Sequence, residues 1–152
     1  MADNDRREVS VTHDGGSRFR IRVRGHEVVV DQPVDAGGDD TAPTPTELFV
    51  ASIASCTAFY GRTYLSRRGL PDRVDVVARW EVAAKPDRVA RVSLRVEAPG
   101  VPADRVDVFR RVLEGCLVHN TLKKGCDVRI ELQSDVHKTA PAASGGTPFD
   151  PP

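Results

Sequence analysis

One long segment, residues 44–69, constrains the fold of this chain more than any other feature. Thr44, Pro45 and Glu47 match the S/T-x-x-E pattern of a helix start, with proline at the first helical position. Gly69 follows two arginines and can adopt the left-handed conformation that ends a helix. Because the middle of the segment is apolar or small on all sides, we expect a long central helix that is buried all round.

Short segments of alternating polarity lie on both sides of this helix. Before it, residues 8–12, 17–24 and 27–31 alternate with a period of two, which predicts three strands of an antiparallel meander. After it, the alternating residues 74–82 and 90–97 predict a hairpin with one buried face.

The remaining segments predict a second helix and a last strand. Pro102 opens the helix, and its apolar stripe reaches Cys116 just after Gly115 breaks or bends it. Alternation returns over residues 126–133 and predicts a strand. The order βββαββαβ, with strands in runs, favours an α+β fold with antiparallel sheets over a doubly wound α/β fold.

Length and composition indicate one soluble domain. A chain of 152 residues suits a single folding unit, which we place at 8–135, between a polar flexible segment 1–7 and a flexible tail 136–152 rich in proline and glycine. The N-terminus lacks the apolar core of a secretory signal, and the apolar run 48–60 is too short to cross a bilayer. We therefore expect a cytoplasmic protein whose thiols stay reduced.

Charge and cysteine content narrow the class of function. The 22 basic and 22 acidic residues give zero net charge, which argues against a partner that is nucleic acid or an anionic membrane. The 3 cysteines are too few for a disulfide-stapled fold and direct attention to thiol or metal chemistry.

The cysteines allow two interpretations. Cys56 lies midway along the first helix and Cys116 on the apolar stripe of the second, so both could be small core residues. Alternatively the two thiols meet, one attacking an electrophile and the other resolving the product as a disulfide. Cys126 lies on the apolar side of the last predicted strand, and we interpret it as core.

Such thiol chemistry needs a nearby cation. The second predicted strand carries four arginines on one face, which could stabilise a thiolate and a departing oxygen or could form a solvated sheet surface. These residues are Arg18, Arg20, Arg22 and Arg24. A metal site is the other alternative, since Cys116 and His119 have C-x-x-H spacing, but the remaining histidines are scattered and we expect no metal and no cofactor.

Three stretches resemble motifs of the OsmC/Ohr family. They are the sequences PTELF at 45–49, ASIASCT at 51–57 and CLVHNTL at 116–122. The resemblance covers about residues 9–132 and includes the order of elements. It implies a cofactor-free enzyme that reduces organic hydroperoxides with thiols in oxidative-stress defence, and an intertwined homodimer with active sites at the subunit interface.

The resemblance also implies roles for individual residues. Cys56 would attack the peroxide and Cys116 would resolve the resulting sulfenic acid, with Arg18 favoured as the catalytic arginine. Glu47 stands one position later than the glutamate of the organic-hydroperoxide branch, so it either orients the arginine or only caps the helix.

The expected pocket and reductant complete this interpretation. We expect an apolar substrate pocket partly lined by Phe49, Phe59 and Trp80, gated by the loop 32–43, and a small or protein-bound dithiol as reductant. Two alternatives remain, namely a non-catalytic stress or ligand-binding member of the same fold and a metal-binding protein that uses Cys116 and His119.

Overall fold

The computed structural model describes residues 7–133, which form two antiparallel sheets and three helices. The first sheet consists of β1 (Ser10–His13), β2 (Phe19–Val23) and β3 (His26–Val30), and the second of β4 (Asp75–Ala83) and β5 (Arg88–Glu97). The helices are α1 (Pro45–Ser66), α2 (Val106–Glu114) and α3 (Leu117–Lys124). The α+β class with antiparallel sheets is therefore confirmed.

Helix α1 begins at the capping box that the sequence predicts. The Glu47 amide donates to Thr44 Oγ1 at 3.1 Å, and the Thr44 amide donates to Glu47 Oε2 at 2.7 Å. After α1 the chain turns through Gly69, which has a φ of 64°, and the Leu70 amide donates to the Leu65 carbonyl at 3.1 Å. These bonds satisfy backbone groups that a helix otherwise leaves without partners at its ends.

Only one face of α1 is buried, so the expectation of burial all round is wrong for the single chain. Val50, Ile53 and Leu65 belong to the buried face, whereas Phe59 on the opposite face is 61% exposed. The reason is geometric, since the elements that pack against the helix, β4–β5, α2 and α3, leave the face that carries Phe59 largely uncovered. The β1–β3 sheet makes little contact with α1 or with the hairpin.

The core lies where α1 crosses α2. Tyr64 and Phe109 meet edge to face with ring centroids 5.6 Å apart, and Leu65 is fully buried beside them. Gly61 allows this close crossing, because a Cβ there would lie 3.0 Å from Leu113 Cδ2 and 3.1 Å from Phe109 Cζ.

A buried carboxylate organises the loop 32–43. Asp31 is only 1% exposed, and its Oδ2 accepts from the Thr41 amide at 3.0 Å and from the Thr41 hydroxyl at 2.7 Å. The amides of Gln32 and Asp39 also donate to this carboxylate, at 2.8 and 3.3 Å. The loop expected to act as a gate therefore has a fixed internal framework.

The C-terminal part of the described chain departs from prediction. Residues 126–133 form neither helix nor strand, and no strand within 7–133 pairs with them. Cys126 is exposed, so its interpretation as a core residue is wrong. Ile130 is 90% exposed, because no element of the described chain covers its side of the segment.

Some predictions fall on parts of the chain that are not described. The predicted flexible segment 1–7, apart from Arg7, and the predicted tail 136–152 lie outside the described residues, as do the last two residues of the predicted folding unit. Within 7–133, no helix combines the length and apolar character needed to cross a bilayer.

Candidate thiol site

Cys116 lies at the junction between two short helices. Helix α2 ends at Glu114, the chain turns at Gly115, and Cys116 is the N-cap of α3. Its side chain is fully buried, and its Sγ accepts a hydrogen bond from the His119 amide at 3.4 Å. This hydrogen bond satisfies one of the amides that a helix leaves without a partner at its N-terminus.

The residue of α1 that touches Cys116 is Thr57. The Thr57 hydroxyl oxygen lies 3.9 Å from Cys116 Sγ, and Thr57 is only 2% exposed. Sequence reasoning missed this residue. The signal that could have found it is spacing, because Thr57 lies four residues after Ile53 and four before Gly61, on the buried face.

Cys56 immediately precedes Thr57 on α1. It is half-buried, and all three cysteines are free thiols. One residue along a helix corresponds to a rotation of about 100°, so Cys56 and Thr57 point in different directions from α1. The structure thus places Cys116 beside the segment of α1 that contains Cys56, with Thr57 in direct contact.

The arginine face of β2 is neutralised mainly by two carboxylates. Arg20 pairs with Asp14 at 2.8 Å and also with Glu27, and Arg22 pairs with Glu27 at 3.1 Å. The hydrogen bonds that Arg20 donates to Glu27 and Asp14 raise the pKa of Arg20, and the one that Glu27 accepts from Arg20 lowers the pKa of Glu27. Arg18 is held more loosely, since its guanidinium lies 3.8 Å from the Asp14 carboxylate.

These arginines do not reach the thiols within one chain. No hydrogen bond of the described residues joins them to Cys56 or Cys116, and Arg24 lies in the turn after β2 with a φ of 55°. Glu47 is likewise occupied, because its carboxylate accepts from both the amide and the hydroxyl of Thr44.

A cavity of about 910 Å³ adjoins the buried thiol. It lies among α1, β5, α2 and α3, and Thr57 and His119, which both contact Cys116, belong to its wall. Its apolar lining includes Phe49, Ile53, Leu94, Phe109, Leu113 and Leu122. Its polar lining includes Arg91, Arg110, Glu114, His119 and Lys123.

The three aromatic residues predicted for one pocket lie in different places. Phe49 lines the large cavity. Phe59 lies at a separate, smaller depression beside Arg62 and Asp72. Trp80 lies on β4 opposite Val92 and lines neither of these two cavities.

A metal site would need several ligand side chains in one place. Within residues 7–133, no group of three or more His, Cys, Asp or Glu side chains is arranged to hold a metal ion. The contact between Cys116 and His119 is made by the histidine backbone amide.

Fold and site together define a small α+β protein with a buried helix-capping thiol and a second cysteine that immediately precedes Thr57 on the long helix. The chain belongs to the family of OsmC-like proteins, whose model matches residues 37–131. The family resemblance inferred from the three motifs is therefore confirmed.

Solved structures share this fold at low sequence identity. An osmotic stress induced and detoxification response protein from Psychrobacter arcticus matches with a TM-score of 0.67 at 23% identity, covering 74% of this chain and 85% of that chain. An organic hydroperoxide resistance protein OsmC from Legionella pneumophila matches with a TM-score of 0.58 at 19% identity, covering 76% and 89%. An OsmC-like protein from Mycoplasma pneumoniae gives 0.65 at 13% identity, covering 78% and 87%. No curated protein matches the chain significantly.

Proposed function

We propose that this chain is a cytoplasmic thiol peroxidase that reduces organic hydroperoxides. The observation that carries the proposal is the position of Cys116, a buried thiol at a helix N-terminus beside the segment of α1 that contains Cys56. Membership of the OsmC-like family supports it, and so does the Legionella relative named as an organic hydroperoxide resistance protein.

The proposed reaction has two steps in the protein. The Cys56 thiolate attacks the terminal peroxide oxygen, the O–O bond breaks, and the alkoxide leaves and takes up a proton as the alcohol. Cys56 then holds a sulfenic acid, and the Cys116 thiol condenses with it to give a disulfide and water. A dithiol returns both cysteines to thiols and is itself oxidised to a disulfide.

A homodimer would supply the arginine that a single chain does not bring to its own thiols. The exposed face of α1 and the exposed apolar side chains of residues 126–133 support a second copy as the partner. Because the β1–β3 sheet makes little contact with its own α1, Arg18 would act on a thiol of the other subunit. The looser pairing of Arg18 favours it over Arg20 for this role.

The test uses three single substitutions and one equivalent of tert-butyl hydroperoxide. We expect the wild-type protein to lose two hydrogens by intact mass, and Cys116→Ser to gain one oxygen because the sulfenic acid persists. Cys56→Ser should neither consume peroxide nor change mass. Cys126→Ser is the matched control, since this cysteine is exposed and outside the site, and it should behave as wild type.

A non-catalytic ligand-binding protein of the same fold is the second candidate function. The complete burial of Cys116 and its contact with Thr57 favour this alternative, because both suit a packing role. If peroxide leaves the wild-type mass unchanged and Cys56→Ser is indistinguishable from it, the peroxidase proposal is wrong and this alternative stands.

A further inference from the structure

We propose that the cavity among α1, β5, α2 and α3 is a binding site for an amphipathic carboxylate, with Arg110 and Lys123 holding its head group. This assignment goes beyond the peroxidase proposal, because it requires neither thiol. Cys56 and Cys116 do not line the cavity.

The size and interior of the cavity suit an alkyl chain. Its volume of about 910 Å³ is in the range of small-molecule sites, which are typically about 300–1,000 Å³. Leu94, Phe109 and Leu113 meet there from β5 and α2. Each methylene group moved from water into such surroundings strengthens binding by about fourfold.

The charge of the polar lining selects the head group. Arg91, Arg110 and Lys123 supply three cations against the single carboxylate of Glu114. Arg91 is partly neutralised by Glu81, 3.7 Å away on β4. Within the described residues, neither Arg110 nor Lys123 forms an ion pair, so both remain available for an anion. A carboxylate matches the fork of an arginine side chain.

Arg110 and Lys123 each belong to a pair of consecutive basic residues, which allows the two members of a pair to be compared. Arg110 is followed by Arg111, and Lys123 is followed by Lys124. Only the first member of each pair lines the cavity. The carboxylate is thus assigned to Arg110 and Lys123, and the alkyl chain to the apolar part of the lining.

The experiment measures binding of decanoate to the full-length protein by isothermal titration calorimetry. Decanoate has no peroxide bond, so failure of this proposal is distinguishable from failure of the peroxidase proposal. We expect saturable binding that weakens with added salt. Acetate, which has the head group alone, and decyltrimethylammonium, which has the same tail with a positive charge, should each bind at least about tenfold more weakly.

The double variant Arg110→Ala/Lys123→Ala should lose about tenfold or more in decanoate affinity. Its matched control, Arg111→Ala/Lys124→Ala, removes the same charges one residue away and should stay within about twofold. Equal affinity in the two double variants would overturn the proposal.

A second copy of the chain is the competing occupant of the cavity. If decanoate does not bind, or if decyltrimethylammonium binds equally well, the carboxylate assignment is wrong. Sedimentation of the same variants then tests whether a second subunit occupies the cavity. If it does, Arg110→Ala/Lys123→Ala should weaken the dimer and the control variant should not.

Discussion

The carboxylate of Asp31 shows how a single residue can organise a loop. Hydrogen bonds from Thr41 are the main reason that the pKa of Asp31 lies below its ordinary value of 3.8. Because the folded-state pKa is the lower one, the ionised carboxylate stabilises the fold above the unfolded-state value. That contribution disappears as the pH falls through the folded-state pKa.

Replacing this charge should loosen the loop. In Asp31→Asn one of the two carboxylate oxygens becomes an NH2 group, so the side chain can no longer accept from both the Gln32 amide and the Thr41 amide. We expect faster hydrogen exchange at the Thr41 amide and a lower urea midpoint at neutral pH, with the difference from wild type shrinking in acid.

The control for this change lies in the same loop. Asp39→Asn alters an exposed side chain and should leave both measurements near wild type. The interpretation of Asp31 fails if the two variants behave alike, or if the effect of Asp31→Asn persists unchanged at a pH well below 3.8.

At the scale of elements, the crossing of α1 and α2 depends on a missing side chain. Gly61 faces Leu113 and Phe109, and the ring of Phe109 also packs against Tyr64. Glycine is a poor helix former, costing about 1 kcal/mol relative to alanine, so its presence in the middle of α1 reflects packing.

Filling this space should separate the two helices. We expect Gly61→Val to lower the free energy of unfolding by about 1–3 kcal/mol, because two extra methyl groups must fit where even a Cβ is tight. Gly61→Ala is the control, since its gain in helix propensity offsets part of the crowding. Urea unfolding compares them, and equal stability of the two variants would contradict this view of the crossing.

The sequence predicted elements whose causes are local. The cap at Thr44 and the turn at Gly69 depend on a few neighbouring residues, and the structure has both. The pairing of Arg20 with Asp14 and Glu27 depends instead on how two turns bring those carboxylates to β2, which periodicity does not encode.

The candidate site was harder to predict because it depends on how helices pack. The break at Gly115 was visible in the sequence, but the role of Cys116 as N-cap of a new helix was not. Thr57 was missed because the angular position of α1 decides which side chain meets Cys116. The segment 126–133 has the pattern of a strand, yet a strand also requires a neighbour, which the described chain does not provide.

The whole molecule has apolar surfaces that one chain leaves uncovered. Phe59 on α1 is 61% exposed, and Val128 and Ile130 after α3 are 76% and 90% exposed. Large exposed apolar surface is typical of an interface. The same surfaces support the proposed homodimer.

The dimer proposal can be tested at the most exposed of these residues. Ile130→Asp should shift the protein towards monomer, with at least about a tenfold weaker dimer, because burying the new carboxylate is unfavourable. Glu131→Gln is the control, since it changes the adjacent side chain without introducing a carboxylate. Sedimentation velocity over a range of concentrations measures both, and a wild-type protein that is monomeric throughout would refute the dimer.

Trp80 gives the molecule an intrinsic optical probe of its surface. It is the only tryptophan of the chain, it is 41% exposed on β4, and it lies outside the cavity. Its fluorescence therefore responds to what covers the hairpin. A shift of emission to shorter wavelength on concentrating the protein would report association.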